Sequence, residues 1–351
     1  MTAQDELSLA DVRLPRTSVE KVQLAMDLLE WATSLAVVSE YLKTKGLPHS
    51  AGSWDEMRDK RILPAISKQK LTFKDLFALL AEAEEFGRSH TFLYQSLKSE
   101  ASKLFDRNRI VAIGARLKHV EALEGTILIN LPAKPTVVEI REDYSNDRRC
   151  WVFKIVEKRE EKEYLGERIE GDRLHREWAI HETRAVHVAR VHESGFLEIR
   201  IQSHMNSTLY EADLKRISTL VKDYLPPTAF RPVSLSKAKQ ALWDSRNAKD
   251  RKIRFSDSIM RNDAGTTISA ATGNEQADLF KDSAASTSID HFLSHGAYCD
   301  SSNIWWLPRD RITEREIHMR LSGENNEFAI TGACTRPEYE YVLNELRVFN
   351  R

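Results

Sequence analysis

At 351 residues the chain is long enough for two or three domains, and 41% apolar with 30% charged residues is the profile of a folded protein with a sizeable core. A formal net charge of −1 excludes a uniformly basic surface, so any contact with a polyanion has to come from a local patch. Cys150, Cys299 and Cys334 are too few and too far apart for a disulfide framework and suit a reducing compartment. The start, MTAQDELSLADVRLPR, lacks the apolar stretch of a secretory signal, and no run approaches the ~18 apolar residues of a membrane span. The expectation is a cytoplasmic protein with no membrane partner.

Residues 1–16 read as a tail. Thr17-Ser18-Val19-Glu20 is a capping-box pattern, and the apolar run behind it predicts one covered helix to Leu42, ended by Gly46. Ser53-Trp54-Asp55-Glu56 and Thr72-Phe73-Lys74-Asp75 start two further helices, the first kinked or cut at Pro64. His90-Thr91-Phe92-Leu93-Tyr94 fits a short strand or a helix start, and helical spacing returns from Lys98 to Ala122. Residues 17–122 thus read as a helical domain.

After Gly125 the period changes. Thr136–Ile140 and Cys150–Val156 are β-rich, and residues 157–177, dense in Lys, Arg and Glu, read as an exposed hairpin extension or a loop. The stretch AVHVARVHESGFLEIRIQSHMNSTLYEADLKRISTLVKDYLPP, from Ala185, reads as strand, turn at Gly195, strand and helix, stopped by Pro226-Pro227. Near the end, Ile317, Met319 and Leu321, then Phe328 and Ile330, then a helix capped at Thr335, repeat that layout. A hairpin with one apolar face beside an amphipathic helix gives an α+β layer. The expected domains are 17–122 helical, 123–230 α+β, 231–300 a basic segment followed by an acidic flexible linker, and 301–351 a hairpin–helix unit packed on 123–230.

Residues 231–261 carry nine basic against three acidic residues, +6, and residues 262–300 carry one against six, −5. The basic segment is the main functional signal. Lys237, Lys239, Arg246, Lys249, Arg251, Lys252 and Arg254 are expected to track a phosphate backbone, with Trp243 and Phe255 stacking on bases and Arg190 and Arg200 extending the surface from the hairpin. The acidic run is able to mask the basic one.

His291, His295 and Cys299 are spaced as three metal ligands on a helix, and His175, His181, His187, His192 and His204 crowd thirty residues; hydrogen-bonded or exposed histidines are the simpler reading of both. Glu139, Asp143 and Glu160-Glu161-Lys162 loosely follow the acid, acid, lysine pattern of metal-dependent nucleases. No phosphate-binding glycine loop, nucleophile elbow or zinc-protease motif is present. No catalytic residue, metal or cofactor is assigned.

The order of parts resembles centromere protein N, a kinetochore family with a helical, pyrin-like domain followed by a β-rich one. The likeness rests on KRILPAISKQKLTFKDLFALLAEAEEFGRSHTFLYQ, on the strand Cys150–Ile155 and on the ending CTRPEYEYVLNEL. The resemblance implies a non-enzymatic reader of nucleic acid or of chromatin-like assemblies. The expected function is a nucleic-acid-binding (DNA or RNA) or scaffold protein, with a protein partner on the helical domain. The alternatives are a metal-dependent nuclease with a dispersed site and a protein-binding adaptor.

Overall fold

The computed structural model describes residues 17–145, 148–204, 210–248, 250–274, 276–309, 312–322 and 326–351. The predicted tail, 1–16, and parts of the predicted turns, at 146–147 and 323–325, lie outside them. In chain order the elements are α1 (Ser18–Ala32), α2 (Leu35–Thr44), α3 (Trp54–Met57), a π-turn (Arg58–Ile62), α4 (Leu63–Ser67), α5 (Phe73–Glu85), β1 (Ser89–Ser96), α6 (Ala101–Leu104), α7 (Arg107–Arg116), α8 (Val120–Glu124), β2 (Thr136–Ser145), β3 (Arg148–Glu170), β4 (Arg173–His192), β5 (Phe196–Gln202) and α9 (Glu211–Leu220). There follow β6 (Phe230–Pro232), α10 (Ser236–Asp244), β7 (Ile253–Arg261), β8 (Thr267–Ala271), α11 (Ser283–Ser294), β9 (Tyr298–Trp306), β10 (Ile317–Leu321), β11 (Glu327–Ile330) and α12 (Arg336–Phe349). The fold is α+β, with a helical N-terminal region and an antiparallel sheet.

The helix starts follow their caps. Thr17, Thr72 and Thr335 each accept from the N–H three residues on, and the acid there reaches back to the cap N–H. The expected single helix to Leu42 is instead two. Thr33 is extended and Ser34 restarts the chain, leaving Trp31 exposed where a covered helix was expected. Pro64 has no N–H for the preceding turn, and the backbone absorbs the loss in the π-turn just before it.

The sheet runs β2-β3-β4-β5-β1-β11-β10-β9-β7-β8, with β6 also on β1. Two runs of strands each reach β1 and continue into a helix: the meander β2 to β5, and β7 to β11, in which β9 returns beside β7 and leaves β8 at the edge. The strand Ser89–Ser96, short and set among helices in the sequence, is therefore the centre of the sheet. It pairs with β5 over Ser89–Gln95 and with β11 over Ser89–Phe92. This moves the boundary of the helical region. α1 to α5 form their own core around Leu28, Leu29, Val38, Leu76 and Leu80, whereas Leu104, Phe105, Ile110 and Ala122 pack with the sheet.

The expected flexible linker is also ordered structure. Residues 262–300 contain all of β8 and α11 and the start of β9; Leu279 and Ile289 are buried in the core that holds Trp243, Trp306 and Val342. A few apolar anchors between small polar residues are enough to pin a surface layer.

Gly195 sits in the β4–β5 turn at φ +78°, and a Cβ there would collide with Ser96 of β1, whose N–H donates to the Gly195 carbonyl at 2.8 Å. Gly195→Ala is expected to lower stability by about 1–3 kcal/mol through strain alone. An unchanged urea midpoint would show that the turn relaxes freely.

Candidate interaction surfaces

The basic segment does not form a phosphate-facing strip. Among the described predicted contacts only Lys237 is exposed, and Lys249 lies outside the described residues. Lys239 is buried and its ammonium donates to the carbonyls of Asp300, at 2.7 Å, and Ser322. Trp243 and Phe255, expected to stack on bases, are fully buried and stack edge-on against each other and Phe280. Arg246 pairs with Asp290, Arg251 with Asp278 and Lys252 with Glu345 at 2.7 Å. Arg254 pairs with Glu316 and lies over the Trp305 ring. The physical reason is twofold. α10 and β7 are amphipathic elements whose inner faces carry the aromatic residues, and the acidic run folds back so that two of its carboxylates, Asp278 and Asp290, neutralise the basic one.

Arg190 and Arg200 are interior as well. Both stand on the face of β4 and β5 that α12 covers. Arg190 donates to Glu198 and to Glu340, and Glu340 also accepts from Ser145 Oγ at 2.6 Å. Arg200 is sandwiched between the rings of Phe86, 4.8 Å, and Tyr339, 4.7 Å, and donates to the Glu85 carbonyl at 2.8 Å. Glu198 further accepts from Tyr339 and contacts His192 Nε2 at 3.0 Å. Burial alone would raise the Glu198 pKa; Arg190, Arg200 and His192 hold it well below the usual carboxylate range.

The crowded histidines hydrogen-bond as the simpler reading expects. His187 is fully buried; the Gln202 N–H donates to its Nδ1 at 3.3 Å, so the proton sits on Nε2 and is given to Glu157 at 3.0 Å. Burial pushes the His187 pKa down and keeps the ring neutral. His204 pairs with Asp213, and His175 and His181 pair with Glu170 and Glu163.

Among the described residues, groups that carry chemistry do not converge. His291 and His295 are exposed at the end of α11 while Cys299 is buried on β9 beside Ser302 Oγ at 3.0 Å, and no metal-holding cluster occurs among the described residues. Of the nuclease-like set, Glu139 is paired with Arg141 at 2.8 Å and Asp143 with Arg141 and Arg336, while Glu160 and Lys162 stand on the far part of β3. A cleft of about 240 Å³ opens beside α7, α8 and β2, lined by Arg107, Glu139, Arg141, Glu142 and Trp151. It is below the usual ~300–1,000 Å³ of ligand sites, and two of its carboxylates, Glu139 and Glu142, are already engaged by arginines.

A different surface stands out. Beyond Lys158 and Arg184, β3 and β4 run on as a two-stranded ribbon to the turn Gly171-Asp172, the expected hairpin extension of the charged stretch. Gly171 has φ +64° at the first turn position, as a tight hairpin requires. Cross-strand partners share a face, and residues alternate along each strand. One face therefore carries the rungs Glu160–Glu182, Lys162–Ile180, Tyr164–Trp178, Glu167–Arg176 and Ile169–Leu174. The other carries Glu161–His181, Glu163–Ala179, Gly166–Glu177, Arg168–His175 and Glu170–Arg173.

The bulge between Tyr164 and Gly166 keeps this separation. One extra residue shifts the alternation of β3 by one, so Ile169 returns to the side of Tyr164. Five large apolar side chains line a single face, exposed by 47–79%. Sequence reading placed the ribbon but missed its two-faced character, because β3 shows the pattern only after correction for the bulge. β4, unbulged, shows it directly in Leu174, Trp178 and Ile180.

The chain matches no protein-family model and no curated protein. No helix among the described residues is long and apolar enough to cross a membrane.

Proposed function

We propose that this protein is a non-enzymatic scaffold that acts by binding protein, with the β3–β4 ribbon as its recognition element. The observation that carries this reading is the segregation of Tyr164, Ile169, Leu174, Trp178 and Ile180 on one face of a ribbon that nothing else in the described chain covers. An apolar patch of that kind, rimmed by charge, is the usual mark of a protein contact. The ribbon from Glu160 to Glu182 has four basic against eight acidic residues, −4, which disfavours a polyanion as its ligand. The layout resemblance to centromere protein N points to the same non-enzymatic class.

The test is a fluorescence-polarisation titration with single- and double-stranded DNA and RNA at low and high salt, with and without Mg²⁺, followed by a gel for cleavage. The expected result is neither salt-sensitive binding nor cleavage. Salt-sensitive binding weakened by Lys237→Glu returns the function to nucleic acid, and cleavage makes the protein an enzyme. Either outcome overturns the scaffold reading.

A further inference from the structure

Resting on that reading, we infer that the apolar face of the ribbon binds the same face of a second copy of the chain, giving a two-fold dimer of reversed ribbons. The evidence is that the face matches itself. Let a two-fold axis lie across the strands, between the Tyr164–Trp178 and Glu167–Arg176 rungs. The four rungs from Lys162–Ile180 to Ile169–Leu174 then fall on one another, and the fifth, Glu160–Glu182, lies over the Gly171-Asp172 turn of the second copy at the rim. Leu174 meets Ile180 of the second copy. Ile169 meets the aliphatic stem of Lys162, Arg176 lies over the Trp178 ring, and the Glu167 carboxylate faces the Tyr164 hydroxyl. No like charges are opposed on these four rungs.

Each symmetry-related pair occurs twice, as an isologous contact requires. Reversal places the two bodies at opposite ends of the stacked ribbons, so full overlap of the faces does not bring the bodies together. Sheets stacked this way sit about 10 Å apart with interdigitated side chains, and an edge-on Tyr164–Trp178 pair, 5.2 Å between ring centroids, offers a firm surface for that packing.

Polyanions and anionic lipid are disfavoured by the −4 charge of the ribbon. The size is also that of a reversible dimer. Five half-exposed large side chains leave on the order of 100 Å² each to bury, about 1,000 Å² over two copies, the low end of specific interfaces. Association is therefore expected in the micromolar range and visible in concentration dependence.

The experiment is sedimentation of the full chain from low to several hundred micromolar. The mass is expected to rise from 40.3 kDa toward twice that value. Trp178→Glu is expected to weaken association at least tenfold with an unchanged melting temperature, since the side chain is half exposed. The double variant Leu174→Cys with Ile180→Cys is expected to be cross-linked between chains by a short bismaleimide, which spans the ~10 Å between stacked ribbons that a disulfide cannot. Within one chain these positions are six residues apart along a strand, about 20 Å, beyond the reach of that linker. The native cysteines are buried.

A wild-type chain that stays at 40.3 kDa throughout overturns the inference and leaves the face to a different protein, while the scaffold reading stands. A dimer that Trp178→Glu does not weaken and the cysteine pair does not link overturns it too, because the copies then meet elsewhere. Nucleic-acid binding or cleavage sinks the scaffold reading whatever the mass.

Discussion

Glu198→Ala is expected to cost about 3–5 kcal/mol, a large share of the ~5–15 kcal/mol that holds a typical domain folded. Glu198 is fully buried and answers Arg190, Arg200, His192 and the Tyr339 hydroxyl at once. Its removal leaves two guanidiniums in a dry interior, Arg190 with Glu340 as its remaining ion-pair partner among the described residues and Arg200 with only the less direct charge of Glu85. The site has little reserve: Arg190 Nη2 and Arg200 Nε and Nη2 already lack hydrogen-bond partners among the described residues. A buried charge stripped of its counter-charge is far costlier than a lost surface pair. Glu198→Gln, which keeps the shape, is expected to fall between. Glu163→Ala, on the exposed face of the ribbon, is expected to stay within about 0.5 kcal/mol. The check is urea unfolding of the three variants. A Glu198→Ala loss below about 1 kcal/mol would mean that water enters and solvates the arginines, and that the network does not join β4, β5 and α12.

That network also explains how the functional signal in the sequence misled. Arg190 and His192 on β4, with Glu198 and Arg200 on β5, read as polar positions between apolar ones on a half-solvated hairpin. Alternation says that two faces differ; it does not say that the polar face is wet. Here α12 covers it, and Arg190 pairs directly across the strands with Glu198. The same holds for the basic run. Lys and Arg density marks a surface only when no acids fold onto it, and Asp278, Asp290 and Glu345 do so from 27 to 93 residues away.

Local signals fared better because they are settled locally. The boxes at Thr17, Thr72 and Thr335, the stop at Gly46, the Gly195 turn and the hairpin extension all depend on a few neighbouring residues. β1 did not, since its central place comes from β5 and β11, more than a hundred residues downstream. The two-faced ribbon lay in between. It was readable from β4 alone, yet hidden in β3 by Leu165.

Acid is expected to unfold the protein steeply below about pH 4.5, and Glu85 shows why. It closes α5 against the sheet, accepting two bonds from Arg141 at 2.8 and 2.7 Å. Burial alone would raise its pKa, but Arg141, Lys154 and Arg200 outweigh that and bring it down to about 2. The unfolded chain protonates the same carboxyl near 4.3. A group whose folded pKa is depressed stabilises fully above the unfolded value and loses that contribution as pH falls toward the folded one. For Glu85 alone the loss is about 3 kcal/mol between roughly pH 4.5 and 2.

Glu157 and Glu198 are shifted in the same direction, against burial, by His187 with Arg216 and by Arg190 with Arg200. Their contributions vanish in the same acid range. His187 adds an earlier, shallower step. Its folded pKa is lowered by burial, so the unfolded chain takes up the proton first as pH drops through about 6.5, and stability declines there too. The expected profile of the urea midpoint is flat near neutrality, bends slightly below about pH 6.5 and collapses below about 4.5. Glu85→Gln is expected to be less stable at neutral pH, with Arg141 and Lys154 short of a carboxylate, and to lose less on acidification. A wild-type midpoint at about pH 3 equal to that at neutrality would sink the assignment of these buried carboxylates as ionised.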